Sequence, residues 1–308
     1  MRCSKCSEQA VIHLRSHRLA LCGDHFTERF RDVVKKAIKS YRQLTKDDKV
    51  LVAVSGGKDS LALWDVLLDL GYDAEGLYID LGIKKESYSD ISREKAEAFA
   101  RNRGAGLIIS DIRKEYGMSL HAAARKNPRT LCSVCGIIKR HEMSRVALEG
   151  GYDVLATGHN LDDEAGVLLG NLLRWNLELL RRQAPRLEAW HPKLKPKVKP
   201  LCLLTERETA TYAILRGIDY VYEMECPFSL NSPSIVMKEA LNRIEERSPG
   251  TKLYFFKKFQ RHRNLFASRE EEKQKEEGAE LVECGICGFP SSSDRCAFCR
   301  IMRGKRKN

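Results

Sequence analysis

The hexapeptide SGGKDS at residues 55–60 constrains the fold of this chain more than any other feature. It lies between a β-branched run at residues 50–54 and an apolar segment with helical spacing, LALWDVLLDLGY. A Gly-Gly pair alone would indicate only a turn, whereas the full strand–loop–helix setting predicts a nucleotide-phosphate site at the helix N-terminus. The hexapeptide does not match the Walker pattern. Its candidate phosphate ligands are Ser55, Gly56, Gly57, Lys58 and Ser60.

Between residues 50 and 247, short apolar runs alternate with longer periodic segments. We predict strands at residues 50–54, 75–82, 106–112, 152–160 and 218–223. We predict helices at residues 61–72, 88–103, 161–175, 206–217 and 232–247, and one more that begins near Cys132. This alternation predicts an α/β fold with a Rossmann-like parallel sheet, which would bind ligands at the carboxyl ends of its strands.

Closely spaced cysteine pairs lie near both ends of the chain. Sets of four thiolate or imidazole ligands at such spacings are typical of closed, structural zinc sites. Units this small bury little core and obtain their folding energy from the metal. His25 could instead be an ordinary surface histidine, but its spacing from Cys22 favours ligation. The two predicted zinc sites consist of Cys3, Cys6, Cys22 and His25, and of Cys284, Cys287, Cys296 and Cys299.

The segment SREEEKQKEEGAE at residues 268–280 is rich in charge and predicts an exposed helix or linker at a domain boundary. We therefore predict an N-terminal zinc finger (residues 1–27), a catalytic domain (28–272) and a C-terminal zinc ribbon (273–308). No apolar run approaches the ~18–20 residues of a membrane span, and the N-terminus lacks the apolar core of a signal peptide. We expect a cytoplasmic protein with no membrane partner.

The formal net charge is +12, and it would fall to about +9 with both zinc sites filled, because ligand thiols are deprotonated. This excess favours a nucleic-acid partner, although a generally basic surface would also account for it. The best candidate surface is the proline-rich segment 179–200, expected to be extended, in which Trp190 could stack on a base; the alternative is a solvated loop. Its cations are Arg181, Arg182, Arg186, Lys193, Lys195, Lys197 and Lys199. The tail RGKRKN at residues 303–308 is a second candidate.

A second glycine-containing turn, ATGHNLDDEAGV, occupies residues 156–167. Gly158 would permit the backbone to approach a ligand closely. Asp162 and Asp163 stand at a predicted helix start, where each could bind magnesium, orient a reacting group or simply cap the helix. We expect Asp163 to be the chemically active one.

Four cysteines remain in the middle of the chain. Cys202 lies in the apolar sequence KPLCLL and is expected to be a buried small hydrophobe. Cys132 and Cys135 form a CxxC pair, and Cys226 follows the predicted strand at 218–223. Three thiolates could hold a 4Fe–4S cluster with one open iron, or Cys132 and Cys135 could form a redox disulfide while Cys226 carries a persulfide.

SGGKDS and TGHNLDDEA together resemble the signature of the PP-loop ATP pyrophosphatases, which cleave ATP between the α and β phosphates. The resemblance implies that the loop holds the departing pyrophosphate while the substrate becomes adenylated. It also implies that adenine rests on the backbone of neighbouring strand ends, at Ala53 and Ile79. Asp59 could be a charge at the helix N-terminus or a magnesium contact, and the resemblance favours a role near the nucleotide.

The chain resembles most closely the tRNA 2-thiolation branch of that family, through both zinc sites, CSVCGIIKR, LRGIDY and the cysteine in ECP. The resemblance implies a 4Fe–4S cluster on Cys132, Cys135 and Cys226, with Lys139 and Asp163 as the essential lysine and aspartate. It further implies ATP, Mg²⁺ and two Zn²⁺ as cofactors. The implied partners are a tRNA substrate and a ubiquitin-like sulfur carrier with a C-terminal thiocarboxylate. We also expect a homodimer.

We therefore expect an ATP-dependent transferase that adenylates O2 of a tRNA uridine or ribothymidine, at T-loop position 54, and replaces the oxygen by sulfur. Two alternatives remain open. The same chemistry could act on the wobble uridine, or the chain could be a non-catalytic zinc-finger protein that binds RNA and keeps an inactive nucleotide fold. A cytidine-32 thiolase is less favoured, because the resemblance extends through both zinc sites.

Overall fold

The structure is a computed structural model that describes residues 1–222, 226–228, 233–266 and 282–302 of the 308-residue chain. The predicted linker at 268–280, the domain boundary at 272/273 and the basic tail at 303–308 lie outside the described residues. The other proposed boundary, at 27/28, falls within a continuous helix, Gly23–Ser40, and the division into three domains stays a prediction.

The chain begins with a short hairpin and one long helix, and then alternates strands and helices. The helices are α1 (Gly23–Ser40), α2 (Lys58–Asp69), α3 (Tyr88–Arg103), α4 (Ile112–Tyr116), α5 (Leu120–Arg125), α6 (Leu131–Glu149), α7 (Leu161–Leu173), α8 (Leu177–Arg182), α9 (Glu206–Leu215), α10 (Pro233–Arg247), α11 (Thr251–His262) and α12 (Ala297–Met302). The strands are β1 (Ile12–Leu14), β2 (Leu19–Leu21), β3 (Lys49–Val54), β4 (Asp73–Asp80), β5 (Leu107–Asp111), β6 (Val154–Thr157), β7 (Arg186–Leu187), β8 (Lys197–Val198), β9 (Val282–Glu283) and β10 (Pro290–Ser291).

One six-stranded sheet organises the middle of the chain, in the order β5–β4–β3–β6–β8–β7. All its strands are parallel except the edge strand β7, which pairs antiparallel with β8. The strand order reverses at β3, which has β4 on one side and β6 on the other. In open α/β sheets, ligands bind in the crevice outside the strand ends at such a reversal. The predicted α/β fold with a Rossmann-like sheet is confirmed.

Helix α2 is fixed against the sheet by a buried tryptophan. The Trp64 ring lies over Gly76 of β4, where a Cβ atom would come within 2.5 Å of the ring. Its indole N–H donates to the carbonyl of Ala74 at 2.9 Å. A buried carboxylate adds a second tie, because Asp65 accepts from the Tyr212 hydroxyl at 2.7 Å and from Arg216 at 2.9 Å. These contacts hold the N-terminus of α2, and the loop before it, in a set position.

Two of our predictions about local structure were wrong. Residues 218–222 form no strand; instead, the N–H of Val221 donates to the carbonyl of Gly56 at 3.0 Å. The backbone of this segment therefore bonds to the loop after β3 rather than to the sheet. The segment 179–200 is not simply extended, because it contains the end of α8 and the β7–β8 pair. The helix expected near Cys132 is confirmed as α6.

Candidate active site and metal centres

The loop after β3, residues 55–60, which we call the phosphate loop, is held in shape by its own serines. The N–H of Ser55 donates to the hydroxyl of Ser60 at 3.1 Å, and that hydroxyl donates to the carbonyl of Gly57 at 2.9 Å. Gly56 has a φ of +76°, and a Cβ atom there would lie 2.3 Å from the carbonyl oxygen of Ser92. Only glycine fits this position, in backbone angle and in space. The loop opens into α2, whose N-terminus supplies free N–H groups and a positive dipole end for an anion.

The turn after β6 packs directly on this loop. A Cβ atom at Gly158 would approach the backbone of Asp59 and Ser60 to 2.9 Å, so a side chain here would push the two turns apart. The side chain of Asn160 donates to the Asp59 carboxylate at 3.1 Å. The two glycine-containing motifs therefore form one continuous wall at the β3–β6 crevice. Ile79, at the end of β4, lies at the same edge, since Val54 and Tyr78 are paired in register.

Five side chains of alternating charge run along the mouth of this crevice, in the order Asp59, Lys58, Glu206, Lys238 and Asp163. Lys58 contacts Asp59 at 3.2 Å and Glu206 at 2.7 Å, while Lys238 contacts Asp163 and lies 3.8 Å from Glu206. Burial raises the pKa of Asp59, and its carboxylate neighbours add to that effect, although Lys58 and Asn160 oppose it. Burial lowers the pKa of Lys58, but its two carboxylate partners outweigh this and raise it. Lys58 is therefore a permanent cation beside the phosphate loop.

Asp162 and Asp163 have separate surroundings although they are adjacent in sequence. Asp162 is buried, pairs with buried Lys252 and accepts from the N–H of Glu206 at 2.9 Å. Asp163 is partly exposed and accepts from the N–H of Asn160 at 3.0 Å, in a capping box at the start of α7. Asp162 is thus enclosed in the protein, and Asp163 is the one that faces the crevice. The chemical role of Asp163 stays a prediction.

Helix α6 presents Cys132, Cys135 and Lys139. The helix starts where the Thr130 hydroxyl accepts from the N–H of Ser133, which sets the CxxC pair in the first turn. The Cys132 thiol is exposed and donates to the carbonyl of Phe228 at 3.2 Å, two residues beyond Cys226.

Cys226 lies near this pair, because Cys135 and Cys226 pack against the same apolar cluster. Burial raises the pKa of Cys135; neighbouring Lys139 lowers it, and the thiols of Cys226 and Cys132 raise it. The structure therefore brings together the three cysteines that the sequence separates, and it places the exposed Lys139 beside them. Cys202, by contrast, is completely buried, as predicted. No disulfide joins Cys132 to Cys135.

Two tertiary contacts fix α6. The buried carboxylate of Glu142, one turn beyond Lys139, accepts from Ser110 at 2.8 Å, from the Tyr116 hydroxyl and from Arg145. In addition, the His141 ring stacks on Phe298 of α12, with ring centroids 3.7 Å apart. The helix that carries two cysteines is therefore held both by the sheet and by the C-terminal cysteine-rich segment.

Two compact ligand sets lie near the chain ends, and within each the four ligand atoms lie within 4.8 Å of one another. They are the N-terminal knuckle, Cys3, Cys6, Cys22 and His25, and the C-terminal knuckle, Cys284, Cys287, Cys296 and Cys299. In the N-terminal knuckle, Cys22 caps α1 and its sulfur lies 3.1 Å from Nδ1 of His25. His25 therefore points at the thiols and fits a ligand role. Four soft or borderline donors at this separation suit tetrahedral Zn²⁺.

Most cations of the basic segment at 179–200 already have partners. Arg182 pairs with Glu178 at 3.5 Å, Arg186 with Glu188 at 2.6 Å, and Lys193 with Glu283 at 2.6 Å. Lys199 pairs at 2.8 Å with buried Glu164, and Arg181 donates to the carbonyl of Phe266. This segment is therefore a weaker polyanion surface than its charge count indicated, and its contact with tRNA stays a prediction.

Sequence reasoning missed Glu206 and Lys238. Glu206 stands one residue after the Thr205 cap of α9, within a Thr-x-x-Glu capping box that accounts for its surroundings without any other role. Lys238 lies in α10, where one lysine among several charged residues gives no signal. Both reach the crevice only through the packing of α9 and α10 near the start of α7. No local pattern in the sequence could have identified them.

Comparison with known proteins finds similarity along almost the whole chain. A family model described as "2-thiouridine synthetase TtuA, N-terminal LIM domain" matches residues 2–27, and one described as "PP-loop domain" matches residues 25–224. A tRNA-5-methyluridine(54) 2-sulfurtransferase of Thermus thermophilus is 47% identical, covering 98% of this chain and 91% of that protein. A protein of the same name from Pyrococcus horikoshii is 42% identical, covering 100% and 95%.

A solved structure is also similar: the U34-tRNA thiolase NcsA from Methanococcus maripaludis with its [4Fe-4S] cluster. It is 26% identical, with a TM-score of 0.78, covering 98% of this chain and 96% of that one. In the described part of the chain, no helix is long and apolar enough to cross a membrane. The chain belongs to the PP-loop family, in the branch of the tRNA-5-methyluridine(54) 2-sulfurtransferases.

Proposed function

We propose that this protein is an ATP-dependent tRNA 2-sulfurtransferase that acts on 5-methyluridine at position 54. The proposal rests on the closeness of the phosphate loop and Cys226 at one edge of the sheet. The hydrogen bond from Val221 to Gly56 ties the segment leading to Cys226 directly to the phosphate loop, and Cys226 lies beside Cys135. A site for ATP phosphates and a site for sulfur are therefore neighbours. The high identity to the position-54 enzymes favours that nucleotide over the wobble uridine.

The chemistry requires two substitutions in sequence. The C2 oxygen of the base attacks the α-phosphorus of ATP and expels pyrophosphate, which the loop at 55–60 would hold. A sulfide sulfur then attacks C2, and AMP leaves with the former base oxygen. Lys139 would neutralise the charge that develops on phosphate, and Asp163 would orient or deprotonate the base. Asp163 accepts from the N–H of Asn160, whose side chain bonds to Asp59 of the loop, and Lys139 lies near Cys135; these positions support the two roles.

The residues present fit the cofactors that the family implies. Cys132, Cys135 and Cys226 offer three thiols, of which Cys132 is exposed to an incoming substrate. A 4Fe–4S cluster bound there would supply an iron with no protein ligand, as a holding place for sulfur. Asp59 beside the phosphate loop is the side chain best placed to contact Mg²⁺ carried by ATP. The two knuckles fit Zn²⁺ in closed sites, which suits a structural role.

An anaerobic assay with reconstituted protein, tRNA, ATP and sulfide tests the proposal. We expect release of AMP and pyrophosphate, and nucleoside mass spectrometry should place 2-thio-5-methyluridine at position 54. Thiolation of the wobble uridine instead would mean that the enzyme acts on that nucleotide and not on position 54. If pyrophosphate release did not respond to tRNA and no thionucleoside formed, the chain would be an RNA-binding protein with an inactive nucleotide fold.

We further propose that sulfur arrives from a ubiquitin-like protein with a C-terminal thiocarboxylate, and that the enzyme is a cytoplasmic homodimer. The sulfur carrier is the partner that the family resemblance implies. A thiocarboxylated carrier should replace inorganic sulfide in the assay, whereas the same carrier ending in an ordinary carboxylate should not. Sedimentation of the purified protein should give twice the mass of one chain.

A further inference from the structure

The stretch from residue 116 to residue 141 contains no aspartate or glutamate, although Glu115 and Glu142 border it directly. It covers α5, the loop after α5 and the first half of α6. Its cations are Arg125, Lys126, Arg129, Lys139 and Arg140, and all five are exposed. None of them forms an ion pair with a carboxylate in the ranges that the structure describes. Within the described residues, this surface has no carboxylate partner, in contrast to segment 179–200, where carboxylates neutralise most cations.

A cavity of about 530 Å³ opens within this basic surface. Its lining consists of His121, Ala124, Arg125, Arg129 and Leu131, and we call it the α5 pocket. Its Leu131 directly precedes Cys132 in α6, and the exposed Cys132 thiol donates to the carbonyl of Phe228. The ring of His121 lies edge-on to Phe228, with centroids 5.3 Å apart. The pocket is thus within the immediate surroundings of the three cysteines.

We propose that the α5 pocket binds the ribose–phosphate backbone of the tRNA strand next to the nucleotide that is thiolated. This inference rests on the proposed function and names the surface that presents the substrate. Enzymes that modify a base take it out of the stack, and they must hold the flanking backbone to do so. Arginine forks bind phosphate oxygens in pairs, and the cavity volume lies within the range of nucleotide-sized ligands.

The charge of this surface favours RNA over the other acidic occupant, the C-terminal tail of a sulfur-carrier protein. Such a tail brings one terminal carboxylate, whereas five uncompensated cations match a chain with one charge per nucleotide. Binding of that chain would release condensed counterions, so it would weaken as salt rises. Arg125 is the last residue of α5 and Arg129 lies in the loop before α6, and both line the same pocket, so that both can contact consecutive phosphates.

The test compares two double variants of the full chain that lose the same charge. Arg125→Ala with Arg129→Ala alters the pocket. Lys39→Ala with Arg101→Ala removes two exposed cations from the ends of α1 and α3, at the opposite edge of the sheet. Binding of unmodified tRNA is measured by fluorescence anisotropy at several salt concentrations, and thiolation is measured in parallel with wild type. Thermal unfolding and the visible absorption of the reconstituted protein verify that each variant is folded and loaded.

We expect the pocket variant to bind tRNA about tenfold more weakly, and its log–log salt dependence to become shallower by about 1 to 2. The control variant should stay within about twofold of wild type. Equal losses in both variants would mean a diffuse effect of net charge and would overturn the inference.

A second contrary outcome concerns the protein partner. The pocket variant could bind tRNA normally and use inorganic sulfide normally, yet fail with the carrier protein; the pocket would then belong to that partner, and the inference would be wrong. Wild-type activity separates this inference from the proposed function. If wild type thiolates tRNA while the pocket variant binds as tightly as wild type, only the inference fails. If wild type forms no thionucleoside, the proposed function fails first.

Discussion

The two knuckles and the three-cysteine group of Cys132, Cys135 and Cys226 use the same side chain in opposite ways. Each knuckle draws its ligands from a single short segment, and its four ligand atoms lie within 4.8 Å of one another. The three-cysteine group combines the first turn of α6 with a segment about ninety residues further along the chain. Cysteines in the knuckles are mostly buried, whereas Cys132 is exposed.

This difference fits the two proposed roles, a metal that builds structure in each knuckle and a metal that meets a substrate at the three-cysteine group. A closed set of four local ligands can fold around its ion with little help from the rest of the protein. The three-cysteine group depends on α6 being fixed by Glu142 and Phe298, and on the bond between Val221 and Gly56. Its geometry is therefore tied to the phosphate loop, which is useful for chemistry that must couple ATP to sulfur.

The largest effect should follow from breaking a knuckle. Cys287→Ala leaves three ligands and should remove most of the ~10 kcal/mol that structural zinc contributes to such units. We expect zinc content to fall from two ions per chain to one, and the segment 282–302 to become sensitive to protease. Cys202→Ala serves as the control and should retain both ions. Unchanged zinc content in Cys287→Ala would show that the C-terminal knuckle is not a zinc site.

Loss of a ligand from the three-cysteine group should lower activity and leave the two knuckles intact. We expect Cys226→Ala to lower the thiolation rate at least a thousandfold, about 4 kcal/mol in barrier height, with two zinc ions retained. Cys202→Ala should thiolate nearly as well as wild type, because its buried thiol has only a weak contact, at 3.9 Å, with the Gln43 amide. Both variants are compared by nucleoside mass spectrometry. The reverse ranking would make Cys202 the third ligand of the group.

Local patterns in the sequence predicted the positions of the two ligand sets and of the loop after β3. The knuckles and the phosphate loop were predictable because their chemistry depends on residues a few positions apart. The position of Cys226 follows in our prediction from a strand at 218–223, but residues 218–222 form no strand, and the bond from Val221 to Gly56 ties this segment to the loop after β3 instead. The basic segment 179–200 was overrated, because a charge count does not reveal partners such as Glu164 beneath Lys199. Tertiary pairing is the information that sequence patterns lack.

The pair Asp162 and Asp163 tests the same contrast within two adjacent residues. Asp162→Asn would leave Lys252 buried without its anion, so we expect a loss of about 3 kcal/mol in the free energy of unfolding. Asp163→Asn weakens a capping box and should cost about 1 kcal/mol, while it lowers thiolation strongly if Asp163 acts on the base. Denaturant unfolding and the thiolation assay measure the two losses. Equal stability losses would contradict the separate roles that the structure assigns to the two aspartates.

A smaller effect than that of Asp162→Asn should come from the Glu142 contacts that hold α6. Burial raises the pKa of Glu142, but its bonds from Arg145, Tyr116 and Ser110 outweigh burial and keep the pKa below its usual 4.5. A lowered folded-state pKa means that this stabilisation is present above about pH 4.5 and is lost as the pH falls through the folded-state value. Glu142→Gln should therefore cost about 2 kcal/mol at pH 7 and progressively less below pH 4.5. Glu149→Gln, which removes an exposed partner of Arg145, should change stability by no more than about 0.5 kcal/mol. If the difference in the free energy of unfolding between Glu142→Gln and wild type stayed constant on acidification, Glu142 would act through packing rather than through its charge.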